Sequence, residues 1–395
     1  MLLAATSVWF LVLIGATAQS FDSARGTAAA GVAQDRSRSA FPGTLDQHAA
    51  IDYRGGALSD AVTGLQRDIA SGSVALQSDG PTGFLLSVLR HLKVPVESQI
   101  LLFSKTGIQH PFTTPENPRA LYFNDRVVVG YIPGAPLIEM AAHDPRQGVI
   151  FSTLKQDGAS PQFARSERCL SCHISANSLS VPGILVRSMS TAPDGRPMPQ
   201  DGSFVIDHRS RLDQRWAGWY VSGAAASVQH MGRTIGPDLD LSAYPLPTSD
   251  IAALLVFDHQ GHATNLLTRL GWETRFAAAS GHLDFTKGDL GDILKEAVDY
   301  FLFVGETPIV SPVQAGSAFA RSFGSTGPRD RQGRSLRELD LQTRLFKYRC
   351  SYMIYSPAFD ALPSEARAAM YARMREQITD RNTIEILDET RAGWR

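Results

Sequence analysis

The sequence predicts an α+β protein in which a strand-rich N-terminal half, carrying an attachment loop, is followed by a mainly helical C-terminal half. Short apolar runs separated by turn dipeptides fill residues 100–154, and beyond residue 250 the apolar spacing lengthens to a helical period. No segment of the chain repeats another. With 395 residues, 43% hydrophobic content and a formal net charge of -1, the chain can bury a sizeable core, and nothing in its charge suits it to nucleic acid.

Residues 1–18 are expected to act as a signal peptide. Leu2 to Ala18 is uncharged and apolar, and it ends in Ala16-Thr17-Ala18, a small-residue cleavage pattern. No Lys or Arg precedes the run, whose length is near the lower limit for a membrane span, so an uncleaved anchor is the alternative. Residues 19–45, rich in Ala, Ser, Gly and Arg without periodicity, are expected to be a flexible lead-in. One α+β domain is expected over 46–395, strand-rich at 46–222 and helical at 248–395. No integral membrane domain is expected beyond the N-terminal segment.

Within that domain, Ala57 to Ile69 and Phe84 to Leu92 have helical apolar spacing. The runs Ile100 to Phe103, Ala120 to Phe123, Val127 to Ile132, Leu137 to Ala141 and Val149 to Leu154 read as a β-meander, with turns at Asn124-Asp125 and Pro133-Gly134. Ile184 to Met189, Ser203 to Ile206 and Gly218 to Ser222 read as further strands. Ile251 to Leu270 is helical, with Ser249-Asp250 placed to cap it. Leu290 to Phe303, Leu336 to Phe346, Ser364 to Gln377 and Thr383 to Ala392 complete the helical half.

The stretch that names a chemistry is Cys169-Leu170-Ser171-Cys172-His173. Two thiols three positions apart can each add S–H across a vinyl C=C of one porphyrin, and the adjacent imidazole then faces the metal. A zinc site of the usual kind needs four ligands, but the one remaining cysteine, Cys350, stands alone. A thioredoxin-like dithiol wants a strand before it and an apolar helix after it, whereas Ser166-Glu167-Arg168 precedes and a Ser/Asn-rich loop follows. Cys350 is expected to be a buried, inert residue beside Tyr348, Tyr352 and Met353.

The five-residue pattern resembles that of c-type cytochromes. The resemblance implies a single covalent haem c on Cys169 and Cys172, with His173 as the proximal ligand of the iron. It also implies a periplasmic or otherwise exported setting, and a periplasmic redox partner. The residues leave the sixth position open: Met231 is the first candidate and His230 the alternative, since His230-Met231-Gly232 offers both ligand types. Arg215 and Trp216 are candidates for propionate and ring contacts, with a core strand as the rival reading. His259 and His262, three apart on a helix, are expected to form a partly exposed polar stripe with Asp258.

Three function classes follow. Electron transfer is the first. Haem-dependent oxidation or peroxide reduction at a displaceable distal position is the second, and a haem-based sensor or binding module the third. No nucleotide-binding glycine loop and no serine-hydrolase elbow occurs in the sequence.

Overall fold

The apolar runs of the N-terminal half pair with one another in chain order. A computed structural model describes residues 45–156, 161–311, 313 and 317–395. The expected signal peptide, and the lead-in up to residue 44, lie outside the described residues. The six-stranded antiparallel sheet is formed by β1 (Ile100–Leu102), β2 (Arg119–Phe123), β3 (Val127–Tyr131), β4 (Leu137–Asp144), β5 (Gly148–Lys155) and β6 (Gln162–Arg165). Side chains set two of its turns. Asn124 Oδ1 accepts the Arg126 and Val127 N–H groups between β2 and β3, and Asp144 Oδ1 accepts those of Arg146 and Gln147 between β4 and β5.

The period-2 alternation gives the sheet two apolar faces. One face, with Leu101, Tyr122, Val129, Met140 and Leu154, packs against Val62 and Leu65 of α1 (Ala61–Ala70) and Leu85 and Val88 of α2 (Leu85–His91). The opposite face splits. Ile100, Leu121 and Phe123 join the main core, whereas Val149 and Phe151 join a smaller cluster with Ile51, Tyr53, Leu170 and Trp272.

Downstream come the one-turn α3 (Leu170–His173), the antiparallel pair β7 (Arg187–Met189) and β8 (Ser203–Val205), and the parallel pair β9 (Tyr220–Val221) and β10 (Arg233–Thr234). The helical half is built on α4 (Ile251–Ala279), capped by Asp250, whose carboxylate accepts the Ala252 and Ala253 N–H groups. This helix is buried on nearly every side, its polar residues Asp258, His259 and Asn265 included. Around it are α5 (Gly288–Phe301), α6 (Ala318–Ser325), α7 (Pro357–Asp360), α8 (Ser364–Gln377) and α9 (Arg381–Thr390). The α+β class with segregated halves is therefore the observed one.

Several boundaries move for physical reasons. The first helix begins at Ala61 because Asp60 Oδ1 takes up the Val62 and Thr63 N–H groups. The long helix runs on to Ala279, past the expected end at Leu270. The expected helix over Leu336 to Phe346 is absent. That segment folds back on itself, closed by a bridge between Leu339 and Phe346. Asp340 Oδ1 accepts the Gln342 and Thr343 N–H groups, an alternative to helical bonding that wins here. The apolar residues that mimicked a helix, Leu336, Leu341, Leu345 and Phe346, are buried all the same.

Candidate haem-attachment site

Strand β6 leads directly into the attachment segment. A 3-10 turn at Glu167–Cys169 passes into α3, so Cys169 and His173 stand one helical turn apart. Leu170 anchors this turn by packing with Val149, Phe151 and Trp272, which leaves Cys172 exposed and Cys169 half-buried. All three cysteines of the chain are free thiols. Cys169 Sγ lies 3.5 Å from Ser166 Oγ, and burial pushes its thiol up from the ordinary value.

The imidazole is fixed in one tautomer. His173 Nδ1 lies 2.8 Å from the carbonyl oxygen of Gly183. A carbonyl can only accept, so Nδ1 carries the proton and Nε2 keeps its lone pair. Burial lowers the pKa of His173, which favours the neutral, ligating form. Such a bond from the far ring nitrogen to a carbonyl is how metal-bound histidines are oriented. Phe151 packs against the ring at 4.7 Å between centroids.

The loop that holds His173 is itself held. Gly183 N–H donates to the His173 carbonyl at 3.1 Å, and Ser178 Oγ donates to the same oxygen at 3.0 Å. From the long helix α4, Asn265 Oδ1 accepts the Ile184 N–H at 2.8 Å, and its Nδ2 donates to the Ile184 carbonyl at 2.7 Å. A Cβ on Gly183 would stand 2.3 Å from Asn265 Oδ1, so this close approach requires glycine. Neither Gly183 nor Asn265 carried a sequence signal, because their pairing depends on contacts across 82 positions of chain (265 − 183).

A charged pair sits on the sheet face beside the attachment segment. Arg119 on β2 and Glu139 on β4 are 2.5 Å apart, and Gln109 Nε2 donates to Glu139 Oε1 at 3.0 Å. Arg119 has room because Gly107 and Gly130 present no side chains to it. Its Nε has no hydrogen-bond partner. After burial and the Gly183 bond, the fields of Arg119 and Glu139 are the further influences on the His173 imidazole.

No family model, curated protein or solved structure matches this chain. Among the described residues no group of three or more His, Cys, Asp or Glu side chains is gathered to hold a bare metal ion. No helix of the described residues is long and apolar enough to cross a membrane.

The other candidate residues lie apart from His173. Arg215 is buried, donating to the His208 and Ser210 carbonyls and pairing with Asp258 Oδ2 at 3.3 Å. Trp216 Nε1 donates to the same Asp258 oxygen at 3.0 Å. Both side chains thus hold Asp258 of α4 within the core. His230 packs on Trp216 at 5.8 Å, and its Nδ1 is buried without a partner. Met231 is exposed, with Ser188 Oγ 4.0 Å from its sulfur. The contact of His173 is with Gly183 and that of Met231 with Ser188, five positions further along the chain (188 − 183).

Of the expected stripe, Asp258 and His259 are buried, whereas His262 is partly exposed. His259 Nε2 lies 2.7 Å from Ser351 Oγ, and its Nδ1 lies 2.8 Å from His208 Nδ1. Arg209 reaches His262 Nε2 at 3.1 Å. The cause is α4 itself, which is surrounded on its polar side as well as its apolar one. Cys350 is fully buried in the main core with Tyr348, Tyr352 and Met353, and burial raises its thiol pKa.

The donor set suits a covalent haem c. Two free thiols stand on one turn, Cys172 exposed and Cys169 half-buried, and the His173 ring keeps the Nε2 lone pair free of a proton.

Proposed function

We propose that this protein is an exported c-type monohaem cytochrome that passes single electrons between periplasmic partners. Cys169 and Cys172 would hold the haem through thioether bonds, and His173 would ligate the iron through Nε2. When bound, the haem supplies a one-electron Fe(III)/Fe(II) couple. The observation that carries the reading is the bond from His173 Nδ1 to the Gly183 carbonyl, which selects the ligating tautomer in the very histidine that follows the two cysteines. The Arg119–Glu139 pair places opposite charges beside the attachment segment, where they would bias the couple.

The deciding experiment is expression of the chain in an exporting host that attaches haem c. Wild-type protein should keep haem stain on a denaturing gel, and the Cys169→Ala/Cys172→Ala protein should lose it. Stain retained by the double variant would overturn the proposal.

Met231 is exposed, with its sulfur against Ser188 Oγ, and this favours a second reading, in which the sixth position is displaceable and the protein is a haem-dependent oxidoreductase. A ferric spectrum that is low-spin and unchanged by cyanide supports the carrier. A high-spin spectrum that responds to cyanide or peroxide supports the oxidoreductase.

A further inference from the structure

Away from the attachment segment, an open cleft of about 550 Å³ lies between the β4–β5 turn and the outer end of α4, with Ala50, Pro145, Arg146, Arg275, Ala278 and Ala361 on its walls. It shares Pro145, Arg146, Arg275 and Ala361 with a narrower recess behind it, which His143 and Trp272 also line.

Two guanidinium groups face this space, and among the described residues no carboxylate forms an ion pair with either. Arg146 Nη2 donates to the Ala50 carbonyl at 3.0 Å. Arg275 donates to the carbonyls of Gly271, Pro145 and Ala361 at 3.0, 3.2 and 3.3 Å. These are neutral acceptors, and each fork retains unused N–H donors, while the Asp144 carboxylate acts on Arg275 through its field without an ion pair. The nearby carboxylate, Asp144, is occupied by the N–H groups of Ser59, Arg146 and Gln147. Gly271 clears a place for the Arg275 fork, since a Cβ there would lie 2.9 Å from Nη1. In the recess, Trp272 is buried and its indole N–H has no partner. Unpaired buried donors are rare in folded proteins and call for an acceptor.

We propose that this cleft binds the oxyanion group of a small molecule, a carboxylate or a phosphate, between Arg146 and Arg275. Forked guanidinium donors match the oxygen spacing of both groups, and the cleft has the volume of a small-molecule site. Trp272 lines the recess behind the cleft and not the cleft itself. The site uses neither Cys169, Cys172 nor His173, so it stands or falls separately from the haem reading.

Isothermal titration of the full-length protein with inorganic phosphate and with citrate, at constant ionic strength and with chloride as the reference anion, tests the proposal. Saturable one-site binding of either probe, absent with chloride, is expected, and the preferred probe identifies the group. Arg275→Gln and Arg146→Gln should each weaken binding about tenfold or more, the loss of one charge-assisted contact. Arg146 is exposed, so its variant reads binding without depending on the fold. No saturable heat with either probe, equal binding of chloride, or affinity unchanged in both variants would overturn the proposal.

Discussion

The carbonyl oxygen of Gly183 lies 2.8 Å from Nδ1 of His173, and that carbonyl is kept in place by Asn265, which brackets the next residue from the long helix. The orientation of the imidazole therefore depends on a helix remote in sequence. Gly183→Ala should push Asn265 away and cost about 1–3 kcal/mol of stability. Asn265→Ala should cost a similar amount, about 1–3 kcal/mol, by leaving the Ile184 peptide groups unpaired. Chemical denaturation measures both, and in haem-loaded protein the Soret band should shift as the proximal ring loosens. An unaltered Soret band in Asn265→Ala would separate the helix from the haem site.

The Arg119–Glu139 pair makes a prediction with opposite signs. Arg119→Gln removes a positive charge beside the attachment segment and should lower the reduction potential, since the oxidised iron is the more positive state. Glu139→Gln should raise it. Potentiometric titration of both variants checks the pair, and shifts of the same sign would remove the electrostatic argument.

Arg215 and Asp258 are a buried ion pair, and each depends on the other. Asp258→Ala leaves the guanidinium uncompensated in the core and should cost about 3–5 kcal/mol. Haem stain per folded molecule should not change. Loss of attachment without loss of stability would instead place this pair at the haem.

Stability should decline on the acid side. Burial lowers the pKa of His173 and His208, and brings His143 to about 4 and His259 to about 3. Each of these takes up a proton more readily unfolded than folded. Their contribution is complete above about pH 6.5 and is lost as pH falls toward the folded values. Asp258, pushed up to about 7 by burial, acts in the opposite sense, losing its contribution as pH rises from about 4 through 7. His230 is lowered likewise, and Asp125, Asp250 and Glu273 are raised in the sense of Asp258. The five imidazoles take up their protons between about pH 5 and 7 when unfolded, so the urea midpoint of the apoprotein should be higher near pH 7 than near pH 5. A flat profile would mean that water reaches these rings.

Met231→Leu tests the sixth position. If Met231 swings from Ser188 to the iron on haem attachment, the variant loses the sulfur-to-iron charge-transfer band. An unchanged spectrum assigns the position to His230 or leaves it open to ligands.

Local sequence determined much of this protein. The meander was legible because alternating apolar residues and Asn or Asp turns act over a few positions, and the long helix because its cap, Asp250, adjoins an unbroken apolar run. The segment from Leu336 to Phe346 misled because its leucines have helical spacing, while the decisive bonds come from the side chain of Asp340. Arg215 was a candidate for a propionate contact, yet its partner is Asp258, 43 positions away in sequence (258 − 215).

The same division runs through the candidate site. The cysteine spacing and the histidine beside it stand in the sequence because attachment chemistry needs those atoms within one turn of chain. Tertiary structure alone decided which nitrogen of His173 is free, which charges face it, and where Met231 lies. Those properties come from hydrogen bonds and packing between segments that the fold, not the chain order, brings together.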